Sequence, residues 1–115
     1  MTELVLVDGI YELELSSPPV NEIGNEMLEA LERALDQIDP VKGRALVIYS
    51  SLPSGFCAGA DLRALYAGMR DTHDAALRAV RISDFIDRIH VVMNRLDMLP
   101  LTTIGAIHGV CFGGG

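Results

Sequence analysis

Cysteine is scarce in this sequence. Cys57 and Cys111 are the only two in 115 residues, too few for a disulfide framework, and neither stands in a CxxC or Cys/His spacing that would hold a metal. Basic residues are also few: nine against sixteen acidic ones leave a net charge of -7, which argues against general nucleic-acid binding. No apolar run approaches the roughly 18 residues of a membrane span, and Met1-Thr2-Glu3 lacks the basic start of a secretory signal. There is no GxGxxG opening a helix, no Gly-Lys-Ser/Thr of a P-loop, and no internal repeat or low-complexity tract. These absences point to a reduced, cytoplasmic protein with no metal, nucleic-acid or membrane partner. A half-apolar composition with 22% charged residues fits one small globular domain with a modest core.

What is present reads as alternating strands and helices. Leu4-Val5-Leu6-Val7, the pair Asp8-Gly9 and Ile10 to Leu15 predict a hairpin, because Asp-Gly tolerates the positive φ angles of a tight turn. Pro18-Pro19 ends that pattern. Met27, Leu28, Leu31, Leu35 and Ile38 recur at helical spacing, with Glu26, Glu29, Glu32 and Arg33 opposite, so an amphipathic helix is expected to stop near Pro40. Ala45 to Tyr49 reads as a strand buried on both faces. Ser54 to Gly59 reads as a loop, Asp61 to Met69 as a short helix, and Asp74 to Leu99 as a long one with a stripe of Phe85, Ile89, Val92, Leu96 and Leu99. Thr103 to Ile107 reads as a second buried strand that turns at His108-Gly109. The order favours an α/β layered domain with a parallel sheet.

Seven of the eleven glycines fall in two places, Gly55 and Gly59 in one, and Gly105, Gly109, Gly113, Gly114 and Gly115 in the other. Both places follow an expected buried strand, where ligands of α/β folds bind and where a missing Cβ lets backbone N–H groups approach them.

The segments Gly55-Phe56-Cys57-Ala58-Gly59-Ala60-Asp61-Leu62 and Ile107-His108-Gly109-Val110-Cys111-Phe112-Gly113-Gly114-Gly115 resemble, in this order and at this separation, the two signature loops of the enoyl-CoA hydratase/isomerase (crotonase) superfamily. The hairpin, the stretch from Asn21 to Ile38 and the strand at Ala45 also fall where that family has them. Two departures stand out: Leu101-Thr102 occupy the place of a basic residue and proline, and His108 replaces the customary asparagine. The resemblance implies a crotonase-like α/β fold, a spiral of ββα units, with residues 1–115 as the N-terminal part of a single domain cut at the second loop.

Function follows from the same resemblance. Family members hold the thioester carbonyl of an acyl-CoA with two backbone N–H groups, which here would be Ala60 and Gly114. Ala58, Asp61 and Leu62 would line the coenzyme A portion, and Gly114 would open a helix whose positive end adds to the effect. Coenzyme A enters only as part of the substrate, and no cofactor is permanently bound. Hydration of a 2-enoyl-CoA is the simplest reaction; isomerisation, decarboxylation, thioester hydrolysis or non-catalytic acyl-CoA binding are the alternatives. The general acid and base are expected past Gly115, so this chain alone should turn over little substrate. A homo-oligomer, a trimer or dimer of trimers, is implied, and the Leu96, Leu99 and Ile107 surfaces are expected to bury against another copy.

Several tempting residues read more simply. Asp61, just ahead of Leu62-Arg63-Ala64-Leu65, is an N-cap by position. Cys57 and Cys111 have no neighbouring base in the sequence and read as small buried hydrophobes. His73, His90 and His108 make neither a metal spacing nor a triad. Arg63, Arg70, Arg78 and Arg81 are a basic stretch that could meet phosphates or simply face solvent.

Overall fold

The computed structural model describes residues 1–69 and 73–115. Strands β1 (Glu3–Val7) and β2 (Ile10–Leu15) form the expected antiparallel hairpin, with Val7 paired to Ile10 across the turn. Asp8 and Gly9 take φ of 50° and 80°, the pair of positive values that a two-residue turn matched to strand twist requires. Helix α1 (Asn25–Gln37) follows, burying Met27, Leu28, Leu31, Ala34 and Leu35, and strand β3 (Ala45–Ser50) then returns parallel to β2.

Strand β4 (Gly55–Cys57) lies inside the segment expected to be loop; three residues carry too little pattern to announce a strand. Helix α2 (Leu62–Met69), helix α3 (Ala75–Asp97), strand β5 (Thr102–Ala106) and strand β6 (Val110–Cys111) complete the chain. The main sheet has the order β1-β2-β3-β5, while β4 and β6 form a separate parallel pair.

Alternation decides which side of the sheet is covered. Tyr11, Leu13 and Leu15 of β2 and Leu46 of β3 point inward, where α1 and the Val92 stripe of α3 close over them. The helices run side by side in the same sense, joined by Arg88 to Glu32 and Arg95 to Asp36, both at 2.7 Å. At this exposure such pairs fix orientation more than they stabilise, contributing about 0 to 1 kcal/mol each.

The expectation that Thr103 to Ile107 is buried is corrected: every residue of β5 is exposed. Pairing with β3 satisfies one edge, but β5 is the last strand of its sheet. The same geometry divides the surface expected to associate. Leu96 and Leu99 pack partly against the core, whereas Ile107 is 60% exposed. Among the described residues, no helix is long and apolar enough to cross a membrane.

Candidate active site

The two glycine-rich segments are brought together by the short β4–β6 ladder. Cys57 and Cys111 are register partners in it, and Phe112 N–H donates to the Cys57 carbonyl at 3.0 Å. The strands are parallel, so both chains leave the ladder at the same end. Ala60 lies three residues past Cys57, and Gly114 three past Cys111.

Close approach demands glycine at Gly55 and Gly59, among other positions. A Cβ on Gly55 would collide with the Val110 backbone nitrogen, which would separate the strands. Gly59 has φ of +88°, and a Cβ there would stand 2.8 Å from the Phe112 carbonyl oxygen and 3.4 Å from the Gly114 nitrogen. The chain before Ala60 and the chain at Gly114 are thus in backbone contact.

The orientation of Ala60 is set by a parallel bridge to Ile23. Ile23 N–H donates to the Gly59 carbonyl at 2.8 Å, and Asp61 N–H donates to the Ile23 carbonyl at 2.9 Å. Both bonds go to the neighbours of Ala60, so its own N–H points away from Ile23. Among the described residues, neither the Ala60 N–H nor the Gly114 N–H has a hydrogen-bond acceptor. Two unspent main-chain donors on abutting loops can receive an oxygen that acquires negative charge.

The remaining expected residues take different parts. Ala58 is half-buried and its N–H donates to the Val20 carbonyl at 3.0 Å, so only its surface is available to a ligand. Asp61 caps α2, its Oδ1 accepting from Ala64 N–H at 3.0 Å. Leu62 is 59% exposed at the start of the same helix. Gly114 lies in a turn closed by Gly115 N–H donating to the Phe112 carbonyl at 2.8 Å. An apolar cavity of about 170 Å³ opens beside it, lined by Ile23, Met27, Phe56, Cys57 and Met93 together with Gly114.

The described residues of the basic stretch have different surroundings. Arg63 pairs with Glu22 at 3.1 Å, Arg78 donates to the His73 carbonyl, Arg81 borders a cleft between α2 and α3, and Arg70 lies outside the described residues. His108 hydrogen-bonds the Leu52 carbonyl through Nε2 at 2.9 Å. Among the described residues, no group of three His, Cys, Asp or Glu side chains could hold a metal.

Sequence reading missed Asn21. It is fully buried with φ of 52°, and its Nδ2 donates to Ser50 Oγ and to the Phe56 carbonyl, both at 2.9 Å, with a longer contact to the Leu15 carbonyl at 3.4 Å. Its Oδ1 accepts from Ser17 N–H at 2.7 Å, and its own carbonyl accepts from the Cys57 thiol at 3.0 Å. One side chain therefore ties the ends of β2 and β3 to β4. An asparagine after Pro-Pro-Val signals only a turn, because its partners are as many as 35 residues away.

Against this geometry, the model of the enoyl-CoA hydratase/isomerase family matches residues 12–115, and the chain belongs to that family. It is 33% identical over 96 residues to the mitochondrial methylglutaconyl-CoA hydratase of Rattus norvegicus, covering 83% of this chain and 28% of the relative. It is 30% identical over 109 residues to the mitochondrial enoyl-CoA hydratase domain-containing protein 2 of Mus musculus, covering 93% of this chain and 34% of the relative. The crystal structure of an enoyl-CoA hydratase from Bacillus anthracis superposes with a TM-score of 0.82 at 26% identity, over 99% of this chain and 42% of that one. The chain thus spans roughly a third of the length of these curated relatives.

Proposed function

We propose that residues 1–115 form the thioester-binding, carbonyl-polarising part of an enzyme that adds water to a 2-enoyl-CoA. The observation that carries this reading is the pair of unspent N–H groups, Ala60 and Gly114, on loops in backbone contact. In this arrangement the thioester oxygen accepts both hydrogen bonds. As water attacks the β-carbon, electron density moves through the conjugated system onto that oxygen, and each fixed donor lowers the barrier by about 2.7 to 4 kcal/mol. In this reading Ala58, Asp61 and Leu62 line the coenzyme A portion. Isomerisation, decarboxylation and thioester hydrolysis would draw on the same donors; the choice of hydration is supported by the hydratases among the relatives. A cytoplasmic homo-oligomer is part of the same proposal.

Carbonyl polarisation can be read separately from turnover. A conjugated 2-enoyl-CoA should bind this chain and show an absorbance shift to longer wavelength. Replacing the Ala60 amide by an ester deletes the donor without altering the side chain, and should abolish most of the shift; Ala60→Ser, which keeps the N–H, should preserve it. Failure of the parent chain to bind, or an unchanged shift in a folded ester variant, would overturn the assignment.

A further inference from the structure

The two cysteines, distant in sequence, are register partners on the neighbouring parallel strands β4 and β6. Adjacent strands lie about 4.7 to 4.9 Å apart, within the span of about 4.4 to 6.8 Å that a disulfide bridges between Cα atoms. Cys57 belongs to the buried core, and Cys111 packs partly buried against that core; the register shifts between Gly55 and Cys57, immediately before the pair. The ladder is pinned at both ends, by Val110 N–H to the Ser54 carbonyl at 3.3 Å and Phe112 N–H to the Cys57 carbonyl at 3.0 Å.

Their environments are unequal. Cys57 is 5% exposed and spends its thiol proton on the Asn21 carbonyl, and burial pushes that thiol above its ordinary value. Cys111 is only half-buried, the more accessible residue of the two.

We propose that Cys57 and Cys111 form a redox pair that closes to an intrachain disulfide when the protein meets a hydroperoxide. Cys111 sulfur attacks the peroxide, the O–O bond breaks, and with hydrogen peroxide one water leaves as Cys111 becomes a sulfenic acid. Cys57 sulfur, giving up its hydrogen bond to Asn21, then displaces the sulfenic oxygen as a second water, forming the S–S bond. Two thiols are oxidised and one peroxide is reduced to two waters. The bond joins the chains that lead to Ala60 and Gly114, and a dithiol reductant reverses it. This pairing stands independently of the proposed hydratase role.

The test is peroxide titration of the native chain, read by intact mass, by thiol count after denaturation and by non-reducing electrophoresis. The expected product is a monomer lacking two hydrogens and both thiols, restored by dithiothreitol. Cys57→Ser should instead stop at oxygen adducts on Cys111, and Cys111→Ser should leave the Cys57 thiol unmodified at the same peroxide dose. Persistence of the Cys57 thiol while Cys111 of the parent goes on to sulfinic acid would overturn the proposal. So would disulfides formed only between chains, or the same Cys111 product in the parent and in Cys57→Ser.

Discussion

Replacing Asn21 by alanine tests whether one buried amide holds the first loop in place. The substitution removes the donor to the Phe56 carbonyl and Ser50 Oγ, and the acceptor of Ser17 N–H. The Ser50 hydroxyl can reorient, so two groups, Ser17 N–H and the Phe56 carbonyl, are left without a partner. Each such loss costs about 1 to 3 kcal/mol, and alanine at the left-handed φ of 52° adds about 1 to 2 kcal/mol. A total of about 3 to 8 kcal/mol follows, to be set against about 6 to 17 kcal/mol for the whole stability of a chain of this size. Urea unfolding followed by far-UV circular dichroism should show a lower midpoint with little change in slope. Asn21→Gly relieves the strain but not the lost bonds, so it should recover only the smaller share. Asn21→Asp keeps the acceptor for Ser17 and the turn preference, yet points a carboxylate oxygen at the Phe56 carbonyl, so it should be no better than alanine near neutrality. A loss below about 1 kcal/mol for Asn21→Ala would refute the reasoning, since that is less than one buried group left unsatisfied.

Hydrogen bonding from Arg88 holds the Glu32 carboxyl below its ordinary value of 4.5. In the window from that value down to the lowered one, the unfolded chain binds more protons, so this contribution is present above the window and lost as pH falls through it. Glu32→Gln should show a shallower acid dependence of the urea midpoint over that window; equal slopes would count against the pair. Gly59→Ala places a Cβ 2.8 Å from the Phe112 carbonyl oxygen at a φ of +88°, so it should weaken enoyl-CoA binding and lower stability by about 1 kcal/mol or more. Unaltered binding by isothermal titration would show that the loops do not need this contact. The open edge of β5, with exposed Ile104 in the strand and exposed Ile107 and Phe112 beyond it in sequence, should drive concentration-dependent self-association, visible by sedimentation velocity and reduced by Ile104→Lys. A monomer at high concentration would remove that edge as an interface.

The local chemistry was legible from residue order alone. Asp8-Gly9 announced its turn because its φ angles depend on those two residues, and Asp61 announced a helix start because a cap reaches only a few residues ahead. The amphipathic stripes of α1 and α3 showed through because a period of 3.6 repeats long enough to be recognised. Ala60 and Gly114 were singled out only through a family resemblance, since an unspent backbone N–H leaves no mark on its own side chain.

Tertiary structure decided the rest. Strands of three and two residues, β4 and β6, exist because each pairs with the other across more than fifty residues. Ala60 keeps its N–H unspent because Ile23 takes the bonds on either side of it, and Asn21 finds partners at residues 15, 17, 50 and 56 only once β2, β3 and β4 are in place. The apolar character of β5 suggested a buried strand, but burial depends on what packs against a strand as well as on its side chains. Short-range dihedral and hydrogen-bonding preferences are written in neighbouring residues, whereas pairing, exposure and the direction of a free N–H arise only when distant segments meet.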